Sequence, residues 1–137
     1  MMFEKENPSC IYVIEDENYS KGSYGTIILA RDQNDDKIII KKIERDDREA
    51  KYVINEIKSG KILKHPNIIV YQKYFLTPKY HYLIFDLIDG CNLFDLMESL
   101  NFEPLREHDL KTMFVQMASV LEYCNLKGIA HRGIIFF

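Results

Sequence analysis

The chain has 137 residues, 47% hydrophobic and 28% charged, with only six glycines and four prolines, which is the content of about one ordinary globular domain. That balance excludes a disordered tail, a collagen-like repeat and a low-complexity spacer. The net charge is −3 with both signs interspersed, so there is no basic block to draw nucleic acid or an anionic membrane, and neither is expected as a partner. Cys10, Cys91 and Cys124 are widely spaced and form no C-x-x-C pair, which argues against a disulfide framework and a zinc site and fits a reducing compartment. Met1 to Pro8 is charged and lacks an apolar core segment, and the longest apolar runs are four or five residues, so neither a secretory signal nor a membrane span is expected. The expected location is the cytoplasm.

The first half reads as strands. Ile11 to Ile14 and Thr26 to Leu29 flank a Ser/Gly turn, and Lys37 to Ile43 follows the polar turn Asp32 to Asp36. Short β-rich runs joined by tight turns predict an antiparallel meander, because parallel neighbours need long crossovers. From Asp46 to Leu63 the period changes: Ala50, Val53, Ile54, Ile57 and Ile62 recur at helical steps. Asp46 and Asp47 suit the helix start, Gly60 weakens its last turn, and His65-Pro66-Asn67 stops it. Ile68 to Phe75 and Tyr80 to Leu87 read as two further strands around Thr77-Pro78-Lys79. Asn92 to Ser99 is a short helix. In Leu105 to Leu126, Leu110, Met113, Phe114, Met117, Val120, Leu121 and Cys124 share one face, and Lys127-Gly128 ends the helix. Strands first and helices after make the fold class α+β.

Three features bear on chemistry. Ser20-Lys21-Gly22-Ser23-Tyr24-Gly25 lies between two strands, where glycines let backbone N–H groups approach phosphate oxygens; taken alone, Gly-x-x-Gly in a hairpin is a turn. No helix follows it, which excludes a dinucleotide fingerprint of the Rossmann type. Lys41 closes the apolar strand Ile38-Ile39-Ile40. Read alone it is an edge charge, but a buried lysine needs an acidic partner, and Glu56 is the one carboxylate on the apolar-flanked face of the next helix.

In combination these features resemble the eukaryotic protein kinase family, Ser/Thr type. Gly22-Ser23-Tyr24-Gly25-Thr26-Ile27 is similar to the last two glycines of the family's Gly-rich loop, with Ala30 three residues beyond Ile27. Ile38-Ile39-Ile40-Lys41 resembles the V-A-I-K strand, and Glu56 resembles the C-helix glutamate. His65-Pro66-Asn67-Ile68 follows, Tyr82 to Leu93 resembles the hinge and the start of the C-lobe, and Gly128-Ile129-Ala130-His131-Arg132 resembles the approach to the H-R-D loop. The resemblance implies a kinase-like N-lobe, a five-stranded antiparallel sheet plus C-helix, over residues 11–88. It also implies a partial C-lobe of two helices over 89–137, with 1–10 as an extension.

By the same resemblance Gly22, Ser23 and Gly25 cover the ATP phosphates, and Lys41 contacts the α- and β-phosphates while paired with Glu56. Ile27 and Ile39 lie against adenine, Phe85 is the gatekeeper, Asp86 and Ile88 bond adenine through their backbones, and Asn92 sits near the ribose. ATP is the implied cofactor, with Mg²⁺ expected for the family.

The departures are specific. Ser20 replaces the first loop glycine, and Ile39 replaces an alanine, so its bulk crowds the adenine pocket. Gly60 stands one turn after Glu56, where a large apolar residue normally stacks in the regulatory spine, and Tyr71 takes the next spine position; a loosely held C-helix follows. His131-Arg132-Gly133 places glycine at the catalytic aspartate, so no catalytic residue is intact, and the side chains that hold Mg²⁺ have no counterpart. The apolar stretch Ile134 to Phe137 then reads as a place where a chain was cut or changed frame. Two functional expectations follow: an incomplete, inactive ATP-binding Ser/Thr kinase domain, or a truncated pseudokinase that binds or regulates another kinase.

Overall fold

The computed structural model describes residues 7–22, 25–45 and 50–131, with residues 50–52 described by backbone alone. It divides into two compact units: Met1–Lys61 with Ile69–Leu87, and Ile62–Ile68 with Ile88–Phe137.

The first unit is built on a five-stranded sheet. Its strands are β1 (Val13–Gly22), β2 (Gly25–Arg31), β3 (Lys37–Glu44), β4 (Lys73–Leu76) and β5 (Tyr80–Asp86), in the order β1-β2-β3-β5-β4 with every pair antiparallel. The predicted meander is therefore present. The turn before β3 is closed by Asp32, whose Oδ1 accepts from the N–H groups of Asn34 and Asp36 at 2.8 and 3.0 Å.

Because side chains alternate along a strand and paired residues share a face, the register sorts the sheet into two sides. Ile28, Ala30, Ile38, Ile40, Phe75, Tyr82 and Ile84 form one buried layer, closed by Tyr12 from the turn after the 3-10 segment Pro8–Cys10. Helix α1 (Ala50–Ile62) covers the other side, where its Val53 and Ile57 pack on Ile43 and Leu83, with Tyr71, Tyr74 and Phe85 around them. Phe75 and Leu83 are wholly buried, one on each side.

In the second unit, α2 (Leu93–Ser99) starts at Asn92, whose Oδ1 accepts from the Asp95 N–H at 2.8 Å. Helix α3 (Glu107–Leu126) carries Glu107 and Asp109 in its first turn, where the dipole favours them. It ends at Gly128 in the left-handed region (φ 68°), with Ile129 N–H donating to the Cys124 carbonyl at 2.9 Å and Gly128 N–H to that of Asn125 at 2.9 Å. These two hydrogen bonds satisfy carbonyls of the last helical turn. The segment Ile62–Ile68 is tied to α3: Lys64 N–H donates to Tyr123 Oη at 3.0 Å, and His65 Nε2 lies 3.0 Å from Ser119 Oγ. His65 Nδ1 accepts from the Asn67 N–H at 3.1 Å, so Nε2 carries the proton and donates to the serine.

Some expected boundaries move. Ile11 and Tyr12 precede β1, and β1 runs on through the polar stretch to Gly22 with register shifts on either side of Asp16. The strand expected over Ile68 to Phe75 begins only at Lys73, since Tyr71 is held by α1 and Ile69 and Val70 are exposed. Asp46 and Asp47 lie outside the described residues. The apolar face of α3 lines a groove of about 970 Å³ with α2 residues such as Leu96 and Met97, and of the face only Cys124 is buried. Among the described residues no helix is long and apolar enough to cross a membrane, and all three cysteines are free.

His81 is buried in β5 with its Nδ1 2.7 Å from Tyr74 Oη. Burial, with a smaller contribution from Arg45, lowers its pKa from 6.5. The unfolded chain therefore takes up the proton first, so stability is full above about pH 6.5 and falls as the pH drops below it. Melting curves between about pH 7.5 and 5.5 are expected to show a loss that His81→Gln abolishes; an identical loss in the variant contradicts this placement.

Candidate nucleotide-binding site

Lys41 sits in β3 opposite Ile27 of β2 and Leu83 of β5, and its sheet neighbour Ile39 sits opposite Leu29 and Phe85. Register thus gathers Ile27, Ile39, Lys41 and Phe85 on the side of the sheet that α1 covers. Lys42, the next residue, points to the other side, where its Nζ lies 4.3 Å above the Tyr80 ring. From α1, Glu56 reaches across fifteen residues of sequence and accepts from Lys41 Nζ at 2.7 Å. The two side chains are 24% and 40% exposed, so the pair is partly screened. Such a pair adds little to stability, and its effect is on position: it holds one ammonium group at a fixed point beside an apolar surface.

The glycines serve the backbone first. Gly22 and Gly25 are paired across the β1–β2 hairpin. Gly25 has φ 151°, and a Cβ there would stand 2.4 Å from the Lys42 carbonyl oxygen. Only glycine fits that close approach of β2 to β3. Ser23 and Tyr24 lie outside the described residues.

Gly60 leaves no gap in α1. The ring of Tyr71 fills the space: a Cβ on Gly60 would meet its Cε1 at 2.6 Å. Tyr71 Oη also donates to the Ile57 carbonyl at 2.8 Å, and its ring stands edge-on to Phe85 with centroids 6.5 Å apart. The loosely held helix expected from Gly60 is therefore corrected by its tyrosine neighbour. Burial raises the pKa of the Tyr71 hydroxyl, which keeps it a protonated donor at neutral pH.

A model of the protein kinase domain matches residues 15–134. The chain belongs to the protein kinase family. It is similar to CBL-interacting protein kinase 9 of Oryza sativa subsp. japonica, 27% identical over 119 residues that make up 83% of this chain and 26% of that protein. It is also similar to serine/threonine-protein kinase SRK2E of Arabidopsis thaliana, 28% identical over 119 residues, 86% of this chain and 32% of the relative. Sperm motility kinase 3A of Mus musculus is 29% identical over 119 residues, 86% of this chain and 23% of the relative. The chain spans about a quarter to a third of the length of these relatives. The five-stranded sheet with α1 is the kinase N-lobe, and α2 and α3 are the first helices of the C-lobe.

The remaining kinase-motif positions are placed as follows. Asp86 ends β5, and its Oδ1 accepts from the amide of Gln72, a partner that sequence spacing gave no sign of. Ile88 is 58% exposed and belongs to the second unit. Asn92 belongs there too, its carboxamide oxygen engaged as the α2 cap and its Nδ2 bonded to Asp95 at 2.8 Å. His131 lies on the α2–α3 groove, while Arg132 and Gly133 lie outside the described residues. The kinase family uses ATP and Mg²⁺; among the described residues there is no cluster of three His, Cys, Asp or Glu that could hold a metal ion.

Gly25→Ala is expected to lower the free energy of unfolding by about 1–3 kcal/mol, the cost of a strained backbone position. Urea denaturation checks it, and an unchanged midpoint contradicts the close approach to Lys42.

Proposed function

We propose that this chain is the ATP-holding part of a Ser/Thr-type protein kinase domain, inactive in phosphoryl transfer in its present sequence. The observation that carries the reading is the Lys41–Glu56 pair at 2.7 Å, set on the same side of the sheet as Ile27 and Ile39. Lys41 meets the α- and β-phosphates while Glu56 keeps its ammonium group from swinging away. The glycines Gly22 and Gly25 let the hairpin backbone cover the phosphates, and Ile27 and Ile39 offer apolar surface to the adenine. Phe85 takes the gatekeeper position. The backbone of Asp86 bonds the base. Every relative named above is called a kinase, and SRK2E a serine/threonine-protein kinase, which supports the Ser/Thr class.

Phosphoryl transfer needs a carboxylate to orient the attacking hydroxyl and side chains to hold Mg²⁺ at the γ-phosphate. Gly133 stands where the family has that carboxylate. This one substitution favours the second reading, a pseudokinase that binds or regulates another kinase from the cytoplasm. Nucleotide binding is common to both readings.

Binding of a fluorescent ATP analogue tests the shared part. Lys41→Ala is expected to weaken it about tenfold or more, the loss of a hydrogen bond to a charged group, while Lys42→Ala on the opposite side leaves it unchanged. Ile39→Ala is expected to tighten binding by removing bulk from the adenine surface. No binding by either wild type or Ile39→Ala contradicts the proposal.

A further inference from the structure

We propose that a cavity on the side of the sheet away from α1 is a second ligand site, taking a small one-ring aromatic acid with a hydroxyl at its far end. The cavity lies wholly within the first unit, has a volume of about 220 Å³, and has no residue of the nucleotide site in its wall. Strand pairing opens it. Between the pairs Asp16–Leu29 and Ser20–Ile27, Glu17, Asn18 and Tyr19 of β1 stand against Ile28 of β2 alone, so β1 bows away from its neighbour. Asp16 Oδ1 accepts from the Asn18 N–H at 2.8 Å and holds the bow. A second wall is the 3-10 segment, anchored by the fully buried Pro8 and by Asn7, whose side chain accepts from the Ser9 N–H at 3.2 Å. Both walls are held by the protein's own contacts, as in a pre-formed site.

The chemistry of the lining selects the ligand. Ile28 and Ile40, both buried, make an apolar floor. Lys42 is half-buried and stands in line with Thr26 and Tyr82, its partners on β2 and β5. Among the described residues no carboxylate pairs with it, and its ammonium group rests 4.3 Å above the Tyr80 ring. Glu17 carries the opposite charge from β1, on the other side of β2, and lines the same cavity without meeting Lys42. The cavity therefore offers a cation at one end, a carboxylate at the other and apolar surface between. A ligand that satisfies all three has an anionic head, an apolar body and a hydrogen-bond donor at its tail. A hydroxyl donates to Glu17 without bringing a second charge out of water. An apolar cavity of about 150 Å³ holds one benzene ring, so 220 Å³ takes a ring with short substituents and excludes a nucleotide.

Amide NMR spectra of the full isotope-labelled chain, recorded without nucleotide, test the site. The probes are para-hydroxyphenylacetate, its amide, which lacks the charge, and phenylacetate, which lacks the hydroxyl. The hydroxy acid is expected to shift the amides of Asn18, Thr26, Ile28 and Lys42 and to leave that of Glu56 in place. It is expected to bind roughly tenfold more tightly than its amide, the effect of one hydrogen bond to a charged group. Lys42→Met keeps the aliphatic stem beside Tyr80 and is expected to abolish that preference. Glu17→Ala is expected to abolish the preference for the hydroxy acid over phenylacetate. Neither residue is buried, so both variants are expected to fold. A charge preference that survives Lys42→Met, or a hydroxyl preference that survives Glu17→Ala, overturns the proposal. So do shifts confined to other residues, or no shifts at millimolar probe. Binding of the hydroxy acid by a chain that takes up no ATP analogue supports this site and defeats only the proposed function.

Discussion

The contact between Lys41 and Glu56 is the constraint through which the rest of the first unit becomes intelligible. A lysine on a strand and a glutamate on a helix meet at 2.7 Å only if the strand register and the rotation of the helix are both correct. A register slip of one residue in β3 would put Lys41 on the opposite side and bring Lys42 to the helix in its place. The pairing of β3 with both β2 and β5 prevents that slip. The energy of the ion pair itself is small at this exposure, so the pair is better understood as a consequence of packing than as its cause.

Packing on the two sides of the sheet divides the labour. The layer of Ile28, Ala30, Ile38, Ile40, Tyr82 and Ile84 has no charged member and supplies burial. The side beneath α1 mixes apolar residues with groups that have direction: the Tyr71 hydroxyl, the Tyr74–His81 contact and the Lys41–Glu56 pair. Apolar contact holds the helix down, and the polar contacts orient it. Gly25 belongs with this second group, since its missing side chain lets β2 start beside the Lys42 carbonyl and so aligns the hairpin with β3.

Much of this was legible in the sequence. The β-rich runs Lys37 to Ile43 and Tyr80 to Leu87, the short helix from Asn92 to Ser99 and the Gly128 stop each marked an element that the structure contains. The Lys41–Glu56 partnership could be expected because a lysine flanked by isoleucines has few ways to be satisfied. Other features left no local trace. Glu15 to Lys21 is polar apart from Tyr19, yet it is strand, held by its pairing with β2 more than by its own composition. Ile68-Ile69-Val70 has strong β propensity but lies outside β4. Gly60 looked like a weakness because sequence shows an absent side chain and not the ring that fills its space. Periodicity identified the apolar face of α3 and could not say what, if anything, covers it.

The central claim is that Glu56 acts on bound nucleotide only through Lys41. A double-mutant cycle on ATP-analogue affinity, with Lys41→Met, Glu56→Gln and the two combined, tests this most directly. The account predicts that Glu56→Gln weakens binding in the wild-type background and changes nothing once Lys41 is methionine. Equal losses from Glu56→Gln in both backgrounds would contradict it.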